Sequence, residues 1–351
     1  MDRPRILFVG QLEPFLTTRA RRDAFERLGC PVTSIDVEQY LHTGRRRLDS
    51  LGHWTLLTPP VFGLNRAILE AARSAGPDVA WIEKGIYVFP RTLRALRRLG
   101  RMALVYHNTD DWRAETPLHR LRWRFLLRGL PLYDLHVTSN LHNVREFREA
   151  GFARVLHMEL AANETIRCPE PVPAGERAGI GAPAGFIGHW EPGTERSILA
   201  LVEAGIPVKV YGAGWQRAAA RQGLEGVVQN RCVWGEDYAR AILSFDVNVA
   251  IVSKWNRNHT ASRTFQIPAL GGFLLHERNE VVTRYFREGV EAEFFSSDGE
   301  LVEKCRHYLA HPEERRRVAE AGRRRCRDSG YFEEDRVREI LPHLEQALGG
   351  G

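Results

Sequence analysis

The sequence predicts an α/β protein built from two doubly wound parallel sheets. Short apolar runs alternate with amphipathic helical segments from Ile6 onward, a Pro-rich passage interrupts the alternation, and the same alternation then restarts. This order of strand, loop, helix and strand is typical of a parallel sheet. The length of 351 residues suits two domains of about 150 residues each.

The first half contains five predicted strands, each a short apolar run, and the first of these ends at Gly10. The strands are Ile6–Gly10, Val32–Asp36, Val79–Glu83, Met102–His107 and Leu135–Ser139. Segments with helical periodicity lie between or after them. These helices are Thr17–Leu28, Gly63–Ser74, Pro90–Leu99, Leu118–Arg128 and Val144–Glu149.

The second half repeats the pattern with four predicted strands and ends in helices. The strands are Gly185–Gly188, Val208–Tyr211, Val247–Val252 and Phe273–Leu275. The helices are Arg196–Ala204, Asp237–Leu243, Ser262–Leu270, Asn279–Phe286, Glu300–Ala310, Pro312–Ser329 and Glu333–Ala347. Pro312 suits a first helical turn, where its missing N–H costs nothing.

Domain boundaries follow from the Pro-rich passage, which carries few periodic signals. We predict an N-terminal domain over 1–170, a linker over 171–183, a C-terminal domain over 184–329 and a final helical segment over 330–351.

Composition favours a cytoplasmic globular protein. Apolar residues make up 43% and charged residues 27% of the chain, and no apolar run approaches the roughly 18 residues that a membrane span needs. The start, MDRPRILFVG, lacks the apolar region of a signal peptide. Five scattered cysteines without a C-x-x-C pair argue against a disulfide framework or a structural zinc site.

The net charge of +6 favours anionic ligands such as phosphates or acidic membrane surfaces. Zinc-finger spacing, an RNP motif and a basic low-complexity tail are all missing from the sequence. We therefore expect no nucleic-acid partner and keep nucleic-acid binding only as a weak alternative.

Ligands of doubly wound sheets bind at the carboxyl ends of the strands, at the point where the strand order reverses. Neither a G-x-G-x-x-G nor a Walker loop follows any predicted strand, so nicotinamide and ATP fingerprints are missing. The ends of the predicted strands therefore supply the candidate residues.

The segment SRTFQIPALGGFLL is the most informative of these. Arg263 and Thr264 open a predicted helix, where backbone N–H groups and a guanidinium suit a diphosphate. Gln266 falls on the same helix face, where it would reach a ribose hydroxyl. The alternative is a surface helix with a solvated arginine.

Two further loops of the C-terminal half follow predicted strands. In GFIGHWEPGTERS, Gly188 ends a strand, His189 would line the cleft and Arg196 would be a second phosphate ligand. Thr194 as a helix cap would explain part of the pattern without a ligand. In VYGAGW, glycine permits close approach to a ligand or simply makes a turn. The candidates in this second loop are Gly212, Gly214 and Trp215.

In the N-terminal half, HNTDDWR places His107, Asp110 and Asp111 at a strand end. One carboxylate would act as general base on an acceptor hydroxyl, because neighbouring like charges raise the pKa of one of them. The alternative is one helix cap and one solvated carboxylate. The two aspartates are consecutive, so the D-x-D metal motif is absent.

Two further strand ends are predicted at the same rim, and they supply the acceptor-side candidates. These are Gly10, Gln11 and Glu13 after the first strand, with Glu83 and Lys84 after the third. An internal ion pair is the alternative for the last two. The segment Leu118–Gly129 mixes arginine with Trp123 and Phe125, so it would either lie on an anionic membrane or pack on the core.

With these segments, the chain resembles the spore-maturation, CgeB-like family of GT-B glycosyltransferases. The resemblance runs almost from end to end, through ILFVG, DVAWIEKG, VYHNTDDW, YDLHVTSN, GFIGHWEPGTER, VKVYGAGW, DVNVAIV and HPEERRRVAEAGRRR. Its most specific part is SRTFQIPALGGFLL with the helical tail that follows.

The resemblance implies a GT-B fold, in which two Rossmann-like domains face a central cleft and the last helix crosses back to the N-terminal domain. It implies a nucleoside-diphosphate sugar (UDP, GDP or dTDP) bound by the C-terminal domain, an acceptor hydroxyl or amine at the N-terminal domain, and no metal or prosthetic group. Arg263, Arg196 and Lys254 would neutralise the diphosphate and Gln266 would hold the ribose. The nucleobase would contact Val233, Trp234 and Tyr238.

This chain departs from the family at two positions. Gln266 stands where the family often has glutamate, and Asn258 stands where related retaining enzymes have a second glutamate. These departures keep open a catalytically silent sugar-nucleotide binder, and a nucleotide-sugar epimerase of the same fold is a further alternative. Stereochemistry and oligomeric state are left open.

Overall fold

The apolar runs of the first half form one parallel sheet in the computed structural model, which describes residues 3–41, 55–113, 117–168, 170–219 and 223–349. The strands are β1 (Ile6–Gly10), β2 (Val32–Asp36), β3 (Val79–Glu83), β4 (Ala103–Asn108), β5 (Leu135–Thr138) and β6 (Val155–His157). Their order is β2-β1-β3-β4-β5-β6, with parallel pairing throughout. The strand order therefore reverses between β1 and β3.

Helices cover both faces of this sheet. They are α1 (Thr17–Arg27), α2 (Pro59–Ala75), α3 (Pro90–Arg98), α4 (Pro117–Gly129), α5 (Leu141–Glu149) and α14 (Glu333–Gly349). On one face, α1 and α14 pack together over a core that includes Phe25, Trp81 and Leu341. On the other, α2 and α4 bury Leu64 and Leu126.

The second half forms a five-stranded parallel sheet of its own. The strands are β7 (Ala184–Ile187), β8 (Val208–Tyr211), β9 (Val247–Ala250), β10 (Leu274–Glu277) and β11 (Glu293–Phe295), in the order β11-β10-β9-β7-β8. The helices are α6 (Ala174–Ile180), α7 (Pro192–Glu203), α8 (Gln216–Ala219), α9 (Gly235–Ser244), α10 (Ser262–Leu270), α11 (Val282–Tyr285), α12 (Asp298–Ala310) and α13 (Pro312–Asp328). Here the strand order reverses between β7 and β9.

The chain divides into two compact units that differ from the predicted boundaries. One comprises Met1–Leu160 with Glu333–Gly351, and the other Ala161–Phe332. Residues 171–183, predicted as a linker, lie inside the second unit and contain α6, which packs on α9. The linker prediction was wrong because prolines flank this helix without entering it, and Pro173 precedes its first turn.

Two strands escaped prediction, since β6 and β11 have three residues each, too few for a periodic signal. The helices α6 and α8 were likewise missed. No helix in the described ranges is long and apolar enough to cross a bilayer.

Candidate functional site

The loops after β7 and β9 meet where the strand order of the second unit reverses. Ligands of doubly wound sheets bind at this point, because the chain leaves the two adjacent strands in opposite directions and opens a crevice. The side chain that occupies it is Arg263, the second residue of α10.

Arg263 bridges the ends of both central strands. Its Nη1 donates to the carbonyl of Ile187 at 3.0 Å, and its Nη2 donates to the carbonyl of Ile251 at 2.8 Å. The guanidinium carbon lies 5.1 Å from the ring centre of Phe186. Within the described part of the chain, the guanidinium forms no ion pair and its buried Nε has no hydrogen-bond partner. A positive charge is thus fixed at the crevice; burial lowers the pKa of this group, and the charge of Glu191 opposes the shift.

Glycines allow the loops after β7 and β8 to pack against each other above Arg263. A Cβ atom at Gly212, whose φ is +139°, would lie 2.0 Å from the carbonyl oxygen of Gly188. A Cβ at Gly188 would come within 2.6 Å of Arg263 Nη1. The same carbonyl of Gly188 accepts a 2.8 Å hydrogen bond from Nε1 of Trp215. Trp215 is fully buried and helps to hold the loop after β7 in place. The close approach is therefore between two loops of the protein.

We expect Gly212→Ala to destabilise the second unit by about 1–3 kcal/mol, because the added methyl meets backbone at a φ that L-residues avoid. Thermal unfolding measures the change. Gly179→Ala is the control: Gly179 lies in α6 with nothing within 4 Å of an added Cβ. That substitution should be neutral or stabilising. Equal melting temperatures for the two variants would contradict the tight packing of the loops.

The residues proposed for a nucleobase lie at the start of α9. Val233 is buried, whereas Trp234, directly before the helix, exposes 61% of its surface. Tyr238 is one turn further on, and burial raises its pKa to about 12 while the charge of Arg263 opposes the shift. The structure thus brings Tyr238 close to Arg263 and leaves the side chain of Trp234 exposed one turn earlier in the chain.

Arg196 and Lys254 line a second cavity on this edge, of about 310 Å³. Arg196 Nε donates to Asp298 at 2.9 Å, and Lys254 Nζ donates to Glu277 at 2.6 Å. Glu191 also lines the cavity and accepts from the backbone N–H of Lys254. Because both cations are paired and a third carboxylate is present, this cavity suits hydroxyl groups better than a diphosphate.

Two predicted ligands on α10 point into the fold. Gln266 is 3% exposed: its Oε1 accepts from the backbone N–H of Asn163 at 2.7 Å, and its Nε2 donates to the carbonyl of Asn163 at 3.3 Å. Thr264 is fully buried and bonds His276 at 2.8 Å. His189 is exposed after β7. Gln266 is therefore bonded to Asn163 within the fold, whereas the guanidinium of Arg263 lies at the crevice.

The first unit has a cavity of about 160 Å³ where its own strand order reverses, between β1 and β3. The cavity brings together four of the five predicted acceptor-side residues, Gly10, Gln11, Glu83 and Lys84, while Glu13 is not among its lining residues. Lys84 has a φ of +57°, a left-handed conformation that costs a non-glycine residue energy. Its Nζ lies 2.7 Å from Asp110 Oδ2.

A buried cluster of charged groups lies beneath this cavity. Arg21 contacts Glu83 at 2.8 Å and Glu333 at 3.1 Å, and Glu83 Oε2 lies 2.8 Å from His107 Nδ1. Burial raises the pKa of Glu83, but Arg21 and His107 outweigh it and lower the pKa to about 2. Burial lowers the pKa of His107, whose Nε2 has no partner within the described ranges. His107 is thus enclosed under the surface.

The two consecutive aspartates differ in exposure. Asp111 is 5% exposed and accepts from the backbone N–H of Arg113 at 3.1 Å. Asp110 keeps 34% of its side chain exposed, beside Lys84. Its backbone is fixed by Asn108 and Asn143, whose amides donate to its carbonyl. The exposed carboxylate of the pair is therefore Asp110.

Part of the chain matches a known protein family, and solved structures are similar to it in fold. Residues 194–342 match a family model described as "Glycosyl transferase-like". No curated protein matches the chain. Sucrose-phosphate synthase from Thermosynechococcus elongatus is similar in structure, with a TM-score of 0.66, 10% identity and 99% and 100% of the two chains covered.

Two further solved structures are similar over nearly the whole chain. Anabaena Alr3699/HepE in complex with UDP and glucose has a TM-score of 0.60 at 15% identity, covering 98% of this chain and 100% of that one. A putative UDP-N-acetylglucosamine 2-epimerase from Listeria monocytogenes has a TM-score of 0.58 at 12% identity, covering 99% and 98%. The chain has a GT-B fold.

Within this GT-B fold, the family model spans Arg196, Tyr238, Lys254 and Arg263 but begins after the loop that contains Gly188. The sequence predicts all of these as candidates and gives no signal for Arg21 or Glu333. Neither gave a local signal, because Arg21 is one of several arginines on α1 and Glu333 lies in the acidic first turn of α14.

Proposed function

We propose that this protein is a glycosyltransferase, which moves a sugar from a nucleoside-diphosphate sugar to an acceptor hydroxyl or amine. The observation that carries the proposal is Arg263, an arginine that forms no ion pair within the described residues and lies at the strand-order reversal of the unit that the family model matches. We also propose that the enzyme is a member of the CgeB-like family that its sequence resembles.

The diphosphate binds at Arg263 and the amino end of α10. The guanidinium and the helix N-terminus supply positive charge that is already in place, so the departing diphosphate is stabilised without a metal ion. The nucleobase lies against Trp234 and Tyr238, whose rings offer a stacking face.

The sugar occupies the cavity lined by Glu191, Glu277 and Asp298. Carboxylate oxygens accept hydrogen bonds from sugar hydroxyls. The cavity adjoins the diphosphate position, since the carbonyl of Ile251 bonds Arg263 and Ile251 also lines the cavity. A UDP-sugar is the first donor to test, because the similar Alr3699/HepE structure is a complex with UDP.

Thermal unfolding with UDP, GDP, CDP, ADP and dTDP, each with and without magnesium, tests the donor site. A ligand at about 100 times its Kd adds roughly 2.7 kcal/mol of stability. We expect one diphosphate to raise the Tm regardless of magnesium. A shift that requires magnesium would overturn the metal-free site, and binding without transfer to any acceptor would favour the silent binder.

The acceptor binds the first unit near Lys84, with Asp110 as the general base of an inverting reaction. We expect Asp110→Asn to lower kcat by about 10²–10⁴-fold, the usual contribution of a general base, with unchanged UDP affinity. Asp134→Asn is the matched control, since Asp134 is paired with Arg97 outside this cavity. Lost UDP binding in Asp110→Asn would show that this carboxylate is structural.

A nucleotide-sugar epimerase is the second candidate, favoured by the similarity to the Listeria protein. An epimerase interconverts free nucleotide sugars and needs no acceptor. Incubating the protein with UDP-sugars alone and resolving epimers by chromatography separates the candidates. Epimer formation without an acceptor would replace the transferase proposal.

We further propose that the protein is cytoplasmic and touches an anionic membrane through α3 and α4, which carry eight arginines and no acidic residue. Phe62, Phe89 and Phe125 line a cavity of about 560 Å³ on this face, rimmed by Arg91, Arg94 and Arg128. Leu126 of α4 packs in the core, which is the other role that the sequence left open for this helix.

We expect the protein to sediment with phosphatidylglycerol vesicles and not with phosphatidylcholine vesicles, because the guanidinium groups attract anionic headgroups. The double variant Arg91→Glu/Arg94→Glu should lose most of this binding. Arg73→Glu, at the far end of α2, should retain most of it. Equal sedimentation of the charge-reversed and control variants would exclude this face.

A further inference from the structure

A cluster of two histidines and a glutamate lies on the second unit, away from the candidate donor site. His307 is in the last turn of α12, His311 joins α12 to α13, and Glu314 is in the first turn of α13. One nitrogen of each histidine and one carboxylate oxygen lie within 4.8 Å of one another. We propose that this cluster binds a borderline divalent metal ion such as Zn²⁺.

The local geometry prepares the ligands. His311 Nδ1 lies 2.7 Å from the carbonyl of His307, so it carries the proton and leaves the Nε2 lone pair free. Metal-binding histidines typically make this second hydrogen bond to a carbonyl or carboxylate, which fixes the tautomer and the ring. The rings of His307 and His311 stack with centres 4.3 Å apart, which holds both on one side of the junction.

The two carboxylate oxygens of Glu314 have different partners. Its Oε2 lies 3.0 Å from His307 Nε2, and its Oε1 lies 4.0 Å from Arg317 Nη2. The carboxylate thus meets the histidines through one oxygen while Arg317 stays on the other. When the metal binds, the proton of His307 moves from Nε2 to Nδ1 by exchange with solvent, so the imidazole stays neutral and Nε2 donates its lone pair to the ion.

The donor set selects the metal. Two imidazoles and a carboxylate suit Zn²⁺ and its neighbours, whereas Mg²⁺ and Ca²⁺ prefer oxygen ligands alone. Three protein ligands leave the fourth tetrahedral position to water. Because all three residues are at least partly exposed, the ion reaches the site from solvent.

The site is separate from the proposed reaction. The helix α12 begins beside the cavity that includes Ser297 and Asp298, and at 1.5 Å per residue His307 and His311 lie about 14 and 20 Å further along. The metal therefore links the end of α12 to the start of α13. Sugar transfer does not depend on it.

Calorimetric titration of the untagged protein with ZnCl₂ tests the proposal, and Co²⁺ absorption in the visible range reports tetrahedral binding. We expect one Zn²⁺ per chain, removed by EDTA. His307→Gln and His311→Gln should each weaken binding at least about tenfold, since even outer partners of metal ligands contribute 10–100-fold. His343→Gln, an exposed histidine on α14, should leave it unchanged.

Exposed thiols are the competing zinc ligands and receive their own control. Cys232 is exposed and Cys168 is partly exposed, so the titration is repeated in a Cys168→Ser/Cys232→Ser background. Zn²⁺ binding that survives both histidine substitutions, or that disappears in the cysteine double variant, would overturn the assignment. Equal melting temperatures of the metal-free variants show that each one folds.

Discussion

Replacing Arg263 with methionine should weaken UDP binding by about 1.5–3 kcal/mol, the usual contribution of a hydrogen bond to a charged group. This corresponds to roughly 10–100-fold in Kd. The guanidinium is bonded to two carbonyl oxygens and stacked on Phe186, so its charge is in place before the diphosphate arrives. Isothermal titration with UDP measures the change.

Arg263→Lys separates charge from geometry. A lysine keeps the positive charge but cannot bond both strand-end carbonyls with one planar group, so we expect an intermediate loss. The control is Arg278→Met: Arg278 also lies over a phenylalanine ring, at 5.7 Å, but it is paired with Glu288. UDP affinity that survives in Arg263→Met, or falls equally in Arg278→Met, would remove Arg263 from the donor site.

Replacing Arg21 with methionine should cost about 3–5 kcal/mol of folding stability, because it removes the buried guanidinium that pairs with two buried carboxylates. Arg21 exposes 2% of its side chain, Glu83 7% and Glu333 none. Chemical denaturation measures the loss. Arg27→Met is the matched control: Arg27 pairs with Glu334 between the same two helices, but 37% of its side chain is exposed. Its loss should stay below about 1 kcal/mol.

Folding stability should also change with pH in opposite directions in the wild type and in Arg21→Met. In the wild type, the pKa of Glu83 lies at about 2, below its ordinary 4.5. The carboxylate therefore stabilises the fold above pH 4.5 and loses this effect as the pH falls toward 2. In Arg21→Met, burial would dominate and raise the pKa of Glu83, so the variant should become more stable as the pH falls from 7 toward 5.

Adding Glu83→Gln and Glu333→Gln to Arg21→Met should restore much of the stability, because no buried charge is then left unpaired. A variant that is as stable as Arg27→Met at neutral pH, or that has the wild-type pH profile, would show that the cluster contributes little.

In the second unit, the sequence predicted the position of one candidate side chain on α10 and not that of another. The sequence placed Arg263 at a helix start beside a strand end, and the structure has it there. Gln266 stands three residues later on the same helix and was expected beside it, yet it is buried against Asn163. Helical spacing gives the relative direction of two side chains; whether a direction leads to solvent or to core depends on what packs against the helix.

For the glycines, too, the sequence predicted only part of what the structure contains. The sequence indicated that glycine in VYGAGW either permits close approach to a ligand or makes a turn, and Gly212 lies close to the backbone of Gly188. Its partner is another loop of the same protein, because β7 and β8 are neighbours in the sheet and their loops meet. A sequence shows that a side chain is missing, but not what fills the space.

The sequence by itself determined the two parallel sheets, most of their strands and helices, and the strand ends where polar residues gather. These depend on local periodicity and on turn-forming residues, which neighbours in the chain decide. Only the tertiary structure decided that Arg21 meets Glu333, separated by 312 positions. It also decided that His107 lies buried while Asp110 stays exposed, because burial and counter-charge come from whichever distant segment packs on the residue.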